Sequence, residues 1–398
     1  MEQQFPLILG SILDNDFYKI TMQCAVIRLF PDIKGRYRFI NRGKHPFPEG
    51  FGDELRRHVN AMANLTLSKQ EKDFLSVRCP YLNPAYLDFL QGYRYDPAEV
   101  TIAQNGTELE VSVEGYWYRT ILWEVPLLAL ISELFYKMEG MNRISNEALA
   151  LRTRGKMNVF KELGVTVAEF GTRRRHSYEV QKEVLNTMME YSAGEFVGTS
   201  NVHLAMLFDV KIIGTHAHEW FMFHGARYGY KIANAFALKS WVKVFKGDLG
   251  IALTDTYTTE VFFTQFSKQF AKLFDGVRHD SGDPLLFAEK TIAHYQRLGI
   301  NPLHKSIIFS DGLNPEKVAT ITRACKDRIG ISFGIGTNLT NDVGLQPMNI
   351  VMKLVEIAAP DMHWTPTVKL SDEPGKQTGN AGMVRLAREL LEITAVEI

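Results

Sequence analysis

Lys211-Ile212-Ile213-Gly214-Thr215-His216-Ala217-His218-Glu219-Trp220 carries an apolar strand into a Gly-Thr turn and then presents two histidines and a carboxylate. An α/β scaffold exposes reactive side chains in this way, at the carboxyl end of a strand. The same grammar recurs on either side. Residues 165–168 lead to Glu169-Phe170-Gly171-Thr172-Arg173, residues 196–197 to Gly198-Thr199-Ser200, and residues 251–253 to Thr254-Asp255-Thr256. Val277 leads to Arg278-His279-Asp280-Ser281-Gly282-Asp283, residues 307–309 to Ser310-Asp311-Gly312, and residues 331–333 to Gly334-Ile335-Gly336-Thr337-Asn338. Amphipathic stretches long enough for parallel crossovers separate these units. The fold class is therefore α/β: an irregular parallel barrel of about seven strands over residues 141–349, with its site at the C-terminal face.

Outside this region the pattern changes. Asp14-Asn15-Asp16 offers a helix cap before apolar spacing over residues 17–30, and Pro31 stops it. Residues 35–42 and 108–113 alternate as strands do. Pro126 suits the first turn of a helix over 125–136, and Ser145 and Gly164 bracket another. Residues 350–355 add a strand-like run, 371–379 a loop, and a helix closes the chain. Residues 1–140 read as an α+β domain completed by about 350–398.

Composition narrows the class. The 398 residues are 45% hydrophobic, enough for a large core. Forty-five basic and forty-five acidic residues cancel, which gives no argument for nucleic acid or an anionic membrane as partner. Cys24, Cys79 and Cys325 form no pairing motif, as expected of a reducing, cytoplasmic setting. The first six residues lack the features of a signal peptide, and the run over 125–131 is far short of the about 20 residues a membrane span needs.

As one lining, the strand tips supply Arg173, Thr199, His216, His218, Asp255, Arg278, Asp280, Asp283, Asp311 and the Gly334-Ile335-Gly336-Thr337 turn. A late small-residue turn suits a phosphate, arginines suit carboxylate or phosphate, and carboxylates suit Mg²⁺ or ribose hydroxyls. A phosphorylated sugar fits better than an apolar ligand. Each tip also has a plainer reading. Arg174 and Arg175 read as a solvated helix start, Asp255 and Asp283 as helix caps, and Phe170 as a core aromatic. His216 and His218, two apart on a strand, would share a face and form a metal pair, as in a metal-dependent barrel hydrolase. Later strands offer no matching ligands, so a single histidine acting as base or nucleophile beside phosphates is preferred.

The combined tips, with Asp16-Phe17-Tyr18-Lys19 near the start and Val368-Lys369-Leu370-Ser371 near the end, resemble the nicotinate phosphoribosyltransferase family of bacterial type. The resemblance implies the type II phosphoribosyltransferase fold. It also implies joining of nicotinate to 5-phosphoribosyl 1-diphosphate in NAD salvage, with ATP hydrolysis coupled through a phosphohistidine at His218. Phe170 and a partner subunit's tyrosine, matched by Tyr18, would sandwich the pyridine in a homodimer with shared sites. Arg173, Arg278 and Asp280 match positions holding ribose phosphate and pyridine, Asp311 a ribose-hydroxyl position, and Gly336-Thr337 the 5′-phosphate turn. Arg42, again from the partner, matches a phosphate contact. Nicotinamide-using relatives carry an aspartate after the Gly-Thr of the second strand; Ser200 here, beside Thr199, favours the acid. Quinolinate-using relatives are the other alternative within the class. Mg²⁺ would arrive with the substrate diphosphate, and no tightly bound organic cofactor is expected.

Overall fold

Two sheets organise the chain, and short apolar runs account for both. The computed structural model describes residues 7–373 and 375–393, so the signal-peptide reading of residues 1–6 lies outside the described residues. The alternating stretch near the start becomes β1 (Lys34–Asn41), and β2 (Val100–Asn105) and β3 (Glu108–Tyr116) form a hairpin beside it.

The next six strands are β4 (Val167–Glu169), β5 (Phe196–Thr199), β6 (Ile251–Leu253), β7 (Gly276–His279), β8 (Ser306–Phe309) and β9 (Gly330–Ile335). They form one sheet in the order β5-β4-β9-β8-β7-β6, parallel in every pairing. β10 (Ile350–Ala359) and β11 (Met362–Pro366) return to the first sheet, giving an antiparallel order β11-β10-β1-β3-β2. β11 is an addition to the strands expected from sequence.

Six of the seven strand units expected from sequence are therefore strands of one sheet. The stretch around Ile212 differs: it makes only an isolated bridge, Ile212 to Thr199. It nevertheless spans the two edges of the sheet, because Thr215 Oγ1 donates to the Ile251 carbonyl at 3.0 Å. Among the described residues no helix is long and apolar enough to cross a membrane.

The Phe17–Leu29 helix ends two residues before Pro31, as a helix must. Asp16 starts it without capping it; its Oδ1 accepts instead from Ser200 Oγ at 2.7 Å. Ser145 does cap the Asn146–Leu163 helix, which closes on Gly164 in the left-handed conformation. Residues 17–26 are all buried, Lys19 among them. The Lys19 ammonium, fully shielded from solvent, sits 2.5 Å from Glu124 and 2.5 Å from Glu219. Glu219 also accepts from Tyr37 Oη of β1 at 2.8 Å, and Tyr37 Oη accepts from Trp117 Nε1 at 2.9 Å.

Removing one partner of such a cluster leaves a buried charge without compensation. Lys19→Met should therefore lower the unfolding free energy in urea by about 3–5 kcal/mol. A loss under about 1 kcal/mol would show the cluster to be energetically idle.

Candidate active site

The carboxyl ends of the parallel strands and the middle of β10 enclose a cavity of about 940 Å³. Phe170 and Arg173 enter it after β4, Arg278 and Asp280 at β7, Asp311 after β8, and Gly336 and Thr337 after β9. Tyr18, Arg42 and His218 complete the set of expected residues on its wall. Tyr18 and Arg42 of this chain stand on the same wall as the rest. Thr199 and Ser200 are off the wall. Both are buried behind it, Thr199 bonded to Glu169 and Ser200 to Asp16.

Two glycines permit this packing. A Cβ on Gly334 would lie 2.6 Å from the Phe170 ring, so glycine lets the ring pack close against β9. Gly214 has φ +143°, and a Cβ there would meet the Tyr18 backbone nitrogen at 3.2 Å. The first helix thereby reaches the wall.

His218 opens the His218–Tyr228 helix, with Nε2 2.9 Å from Asp255 Oδ1 and 3.7 Å from Asp280 Oδ2. Burial lowers its pKa, as does the Lys369 ammonium, which favours a neutral ring. Asp255 is no helix cap. Its Oδ2 accepts from Ser281 Oγ at 2.6 Å and pairs with Lys369 at 3.1 Å. Burial would raise its pKa, but Lys369 and His218 hold it well below the usual carboxylate range.

His216 does not share a face with His218. It is buried with both ring nitrogens unpartnered, edge-on to Phe221 and Trp241. The chain leaves the strand before this pair, so the two-residue spacing no longer sets their direction. The cluster with metal-ligand spacing is instead His218, Asp255 and Asp280.

Around this core the wall is cationic. Arg278 donates to Asp280 Oδ1 at 3.0 Å and to Ser310 Oγ at 2.8 Å, with its guanidinium 6.0 Å from the Phe170 ring. Burial would raise the pKa of Asp280; Arg278 and His218 bring it below its ordinary value. Lys376 pairs with Asp311 at 2.7 Å.

Lys353, Lys369 and Lys376 were not among the expected wall residues. The signal for Lys353 was a lone lysine in the apolar run of β10. Burial, and then Lys369, push its ammonium down to about 7. Arg174 also lines the cavity rather than solvent. Arg175 is fully buried, gripping both oxygens of Asp14 at 2.7 Å. Asp283 caps the Pro284–Arg297 helix, its plainer reading.

This arrangement has relatives. Residues 165–395 match the nicotinate phosphoribosyltransferase (NAPRTase) family, and residues 13–132 match the N-terminal domain of the same family. The chain belongs to the nicotinate phosphoribosyltransferase family. It is 59% identical over 387 residues to nicotinate phosphoribosyltransferase of Chromohalobacter salexigens, covering 97% of this chain and 99% of that one. Within the family, the crystal structure of nicotinate phosphoribosyltransferase from Porphyromonas gingivalis superposes with TM-score 0.95 at 47% identity, covering 97% of this chain and 100% of that one. That of a putative nicotinate phosphoribosyltransferase from Saccharomyces cerevisiae gives 0.93 at 33% identity, covering 98% and 99%.

His216 makes a measurable difference to stability. Burial holds its folded pKa down to about 3, against an ordinary 6.5. Below pH 6.5 the unfolded chain takes up a proton that the folded chain refuses, so acidification destabilises the fold through this group. His216→Leu removes that term. Its urea-unfolding free energy should fall by about 1.4 kcal/mol less per pH unit than the wild type's between about pH 5.5 and pH 4. Equal slopes would place the proton elsewhere.

Proposed function

We propose that the cavity joins nicotinate to 5-phosphoribosyl 1-diphosphate, forming nicotinate mononucleotide and diphosphate in NAD salvage, and that ATP hydrolysis drives it through a phosphoryl group on His218. The observation that carries the reading is one wall combining Phe170, Tyr18 and Arg173 with lysines, arginines and the Asp280 and Asp311 carboxylates. Aromatic faces suit the pyridine ring, Arg173 its carboxylate, and the remaining cations the phosphates. Gly336 and Thr337 suit the 5′-phosphate, and Asp311 the ribose hydroxyls. The choice of acid over amide rests on Arg173 and the cationic wall rather than on Ser200.

The pyridine nitrogen is itself the nucleophile. Its lone pair forms the bond to the anomeric carbon as the bond to diphosphate breaks, so positioning and charge stabilisation are the protein's main work. The donor set fits Mg²⁺: Asp280 and Asp255 would hold the ion, which would neutralise charge on the departing diphosphate. His218 is suited to the ATP step. Asp255 occupies Nε2, leaving Nδ1 without a partner among the described residues. Nδ1 attacks the γ-phosphorus, ADP leaves, and water later hydrolyses the P–N bond.

The architecture proposed for this chemistry is the irregular barrel over residues 141–349, supported by the contacts of Ile212 and Thr215 with the two sheet edges. The proposed α+β domain is residues 1–140 completed by about 350–398, supported over the described residues by the pairing of β1 with β10. The homodimer with shared sites rests on the family resemblance alone.

Incubation with γ-labelled ATP should give an acid-labile, base-stable phosphoryl adduct that is absent in His218→Ala. No adduct, or one that survives in that variant, would defeat the coupling. Turnover of nicotinamide in place of nicotinate would defeat the substrate assignment.

A further inference from the structure

Glu169 ends β4, fully buried beneath the segment that carries Phe170 and Arg173. Both of its oxygens face donors. Oε1 accepts from the Gly171 backbone N–H. Oε2 accepts from Thr199 Oγ1 at 2.5 Å and from Gln181 Nε2 at 3.0 Å.

None of these donors can reverse without losing a contact. A backbone N–H only donates. The Gln181 amide is fixed because its Oε1 accepts from Arg175 Nη1 at 3.1 Å, and Arg175 is itself clamped by Asp14. Thr199 Oγ1 already accepts from the Asn201 N–H at 3.0 Å, and its own proton has no acceptor besides Glu169 among the described residues. A protonated Glu169 would aim its new O–H at a group that also donates, and one contact must open.

That opening falls on the cavity wall. Gly171 follows Phe170 directly, and Thr172 Oγ1, one residue before Arg173, accepts from the same Gln181 amide at 3.1 Å. We propose that Glu169 is a positioning residue for the pyridine acid: ionised, it fixes Phe170 and Arg173 on the wall, and its protonation loosens both. This rests on the function proposed above.

The change falls near neutral pH. Burial raises the Glu169 carboxyl to about 7, opposed by the Thr199, Gln181 and Gly171 donors and helped by the nearby Asp16. The other charged groups facing this network are Arg175 and Asp14, paired behind Gln181.

The test is steady-state kinetics of the full chain with nicotinate and 5-phosphoribosyl 1-diphosphate across this range. Wild-type KM for nicotinate should rise about tenfold from about pH 8 to about pH 6, following the ionised fraction of Glu169. KM for 5-phosphoribosyl 1-diphosphate should not share that dependence. Glu169→Gln sets an amide against the same donors, so its nicotinate KM should be raised at pH 8 and flat below. Gln181→Leu removes one donor and should move the inflection to higher pH. Lys353 titrates in the same range but is common to all three proteins, so comparison removes it.

Parallel profiles for wild type and Glu169→Gln would overturn the proposal, as would an unmoved inflection in Gln181→Leu. If circular dichroism shows Glu169→Gln unfolded, the Gln181→Leu inflection alone decides. Failure of the wild type to use nicotinate counts against the proposed function instead.

Discussion

One buried ammonium group is the reference point for both halves of the molecule. Lys19 comes from the first helix, Glu124 starts the Glu124–Met138 helix, and Glu219 follows His218. Glu124 also stands 3.5 Å from Arg173, while Glu219 holds Tyr37 of the antiparallel sheet. A cation this deep tolerates only arrangements that bring both carboxylates to it. The sheet, the histidine helix and Arg173 are therefore positioned against a single charge. Geometry of this kind is set by electrostatic necessity as much as by apolar packing.

The chain as a whole is neutral, yet the cavity concentrates cations. Lys353, Lys369 and Arg42 face it from the C-terminal and N-terminal segments, and Arg173, Arg174 and Arg278 face it from the parallel strands. Bulk charge thus says nothing about the local field, which is what an anionic substrate meets. Burial first, and then the neighbouring Lys369, depress the pKa of Lys353 on that wall.

Most of the parallel sheet was legible in the sequence, because short apolar runs ending in small polar residues have few other uses. The tips of β4, β7, β8 and β9 bring their expected residues to one place. What was illegible depended on distance along the chain. Arg175 looks solvated next to Arg173 and Arg174, and only the fold brings Asp14, 161 positions away, to meet it. Nothing in the sequence pairs Ser200 with Asp16, 184 positions away, yet the fold bonds them. His216 was misplaced because a two-residue periodicity holds only while the backbone stays extended, and here it bridges at Ile212 alone. β11 escaped notice because Met362-His363-Trp364-Thr365-Pro366 has no clean apolar face.

The Lys376–Asp311 pair has one more implication. Asp311 is the carboxylate assigned to the ribose hydroxyls, and a lysine of the same chain holds it. That lysine is a tethered competitor, present at a fixed effective concentration that no dilution of the enzyme reduces. A free ribose, which offers only hydroxyls, would have to displace an ammonium and leave it with Glu373 alone, 2.6 Å away. A ribose bearing phosphates brings the displaced ammonium a new anion. Under the proposed function, the contact would weigh ligands by charge before any group reaches the bond that is to be broken.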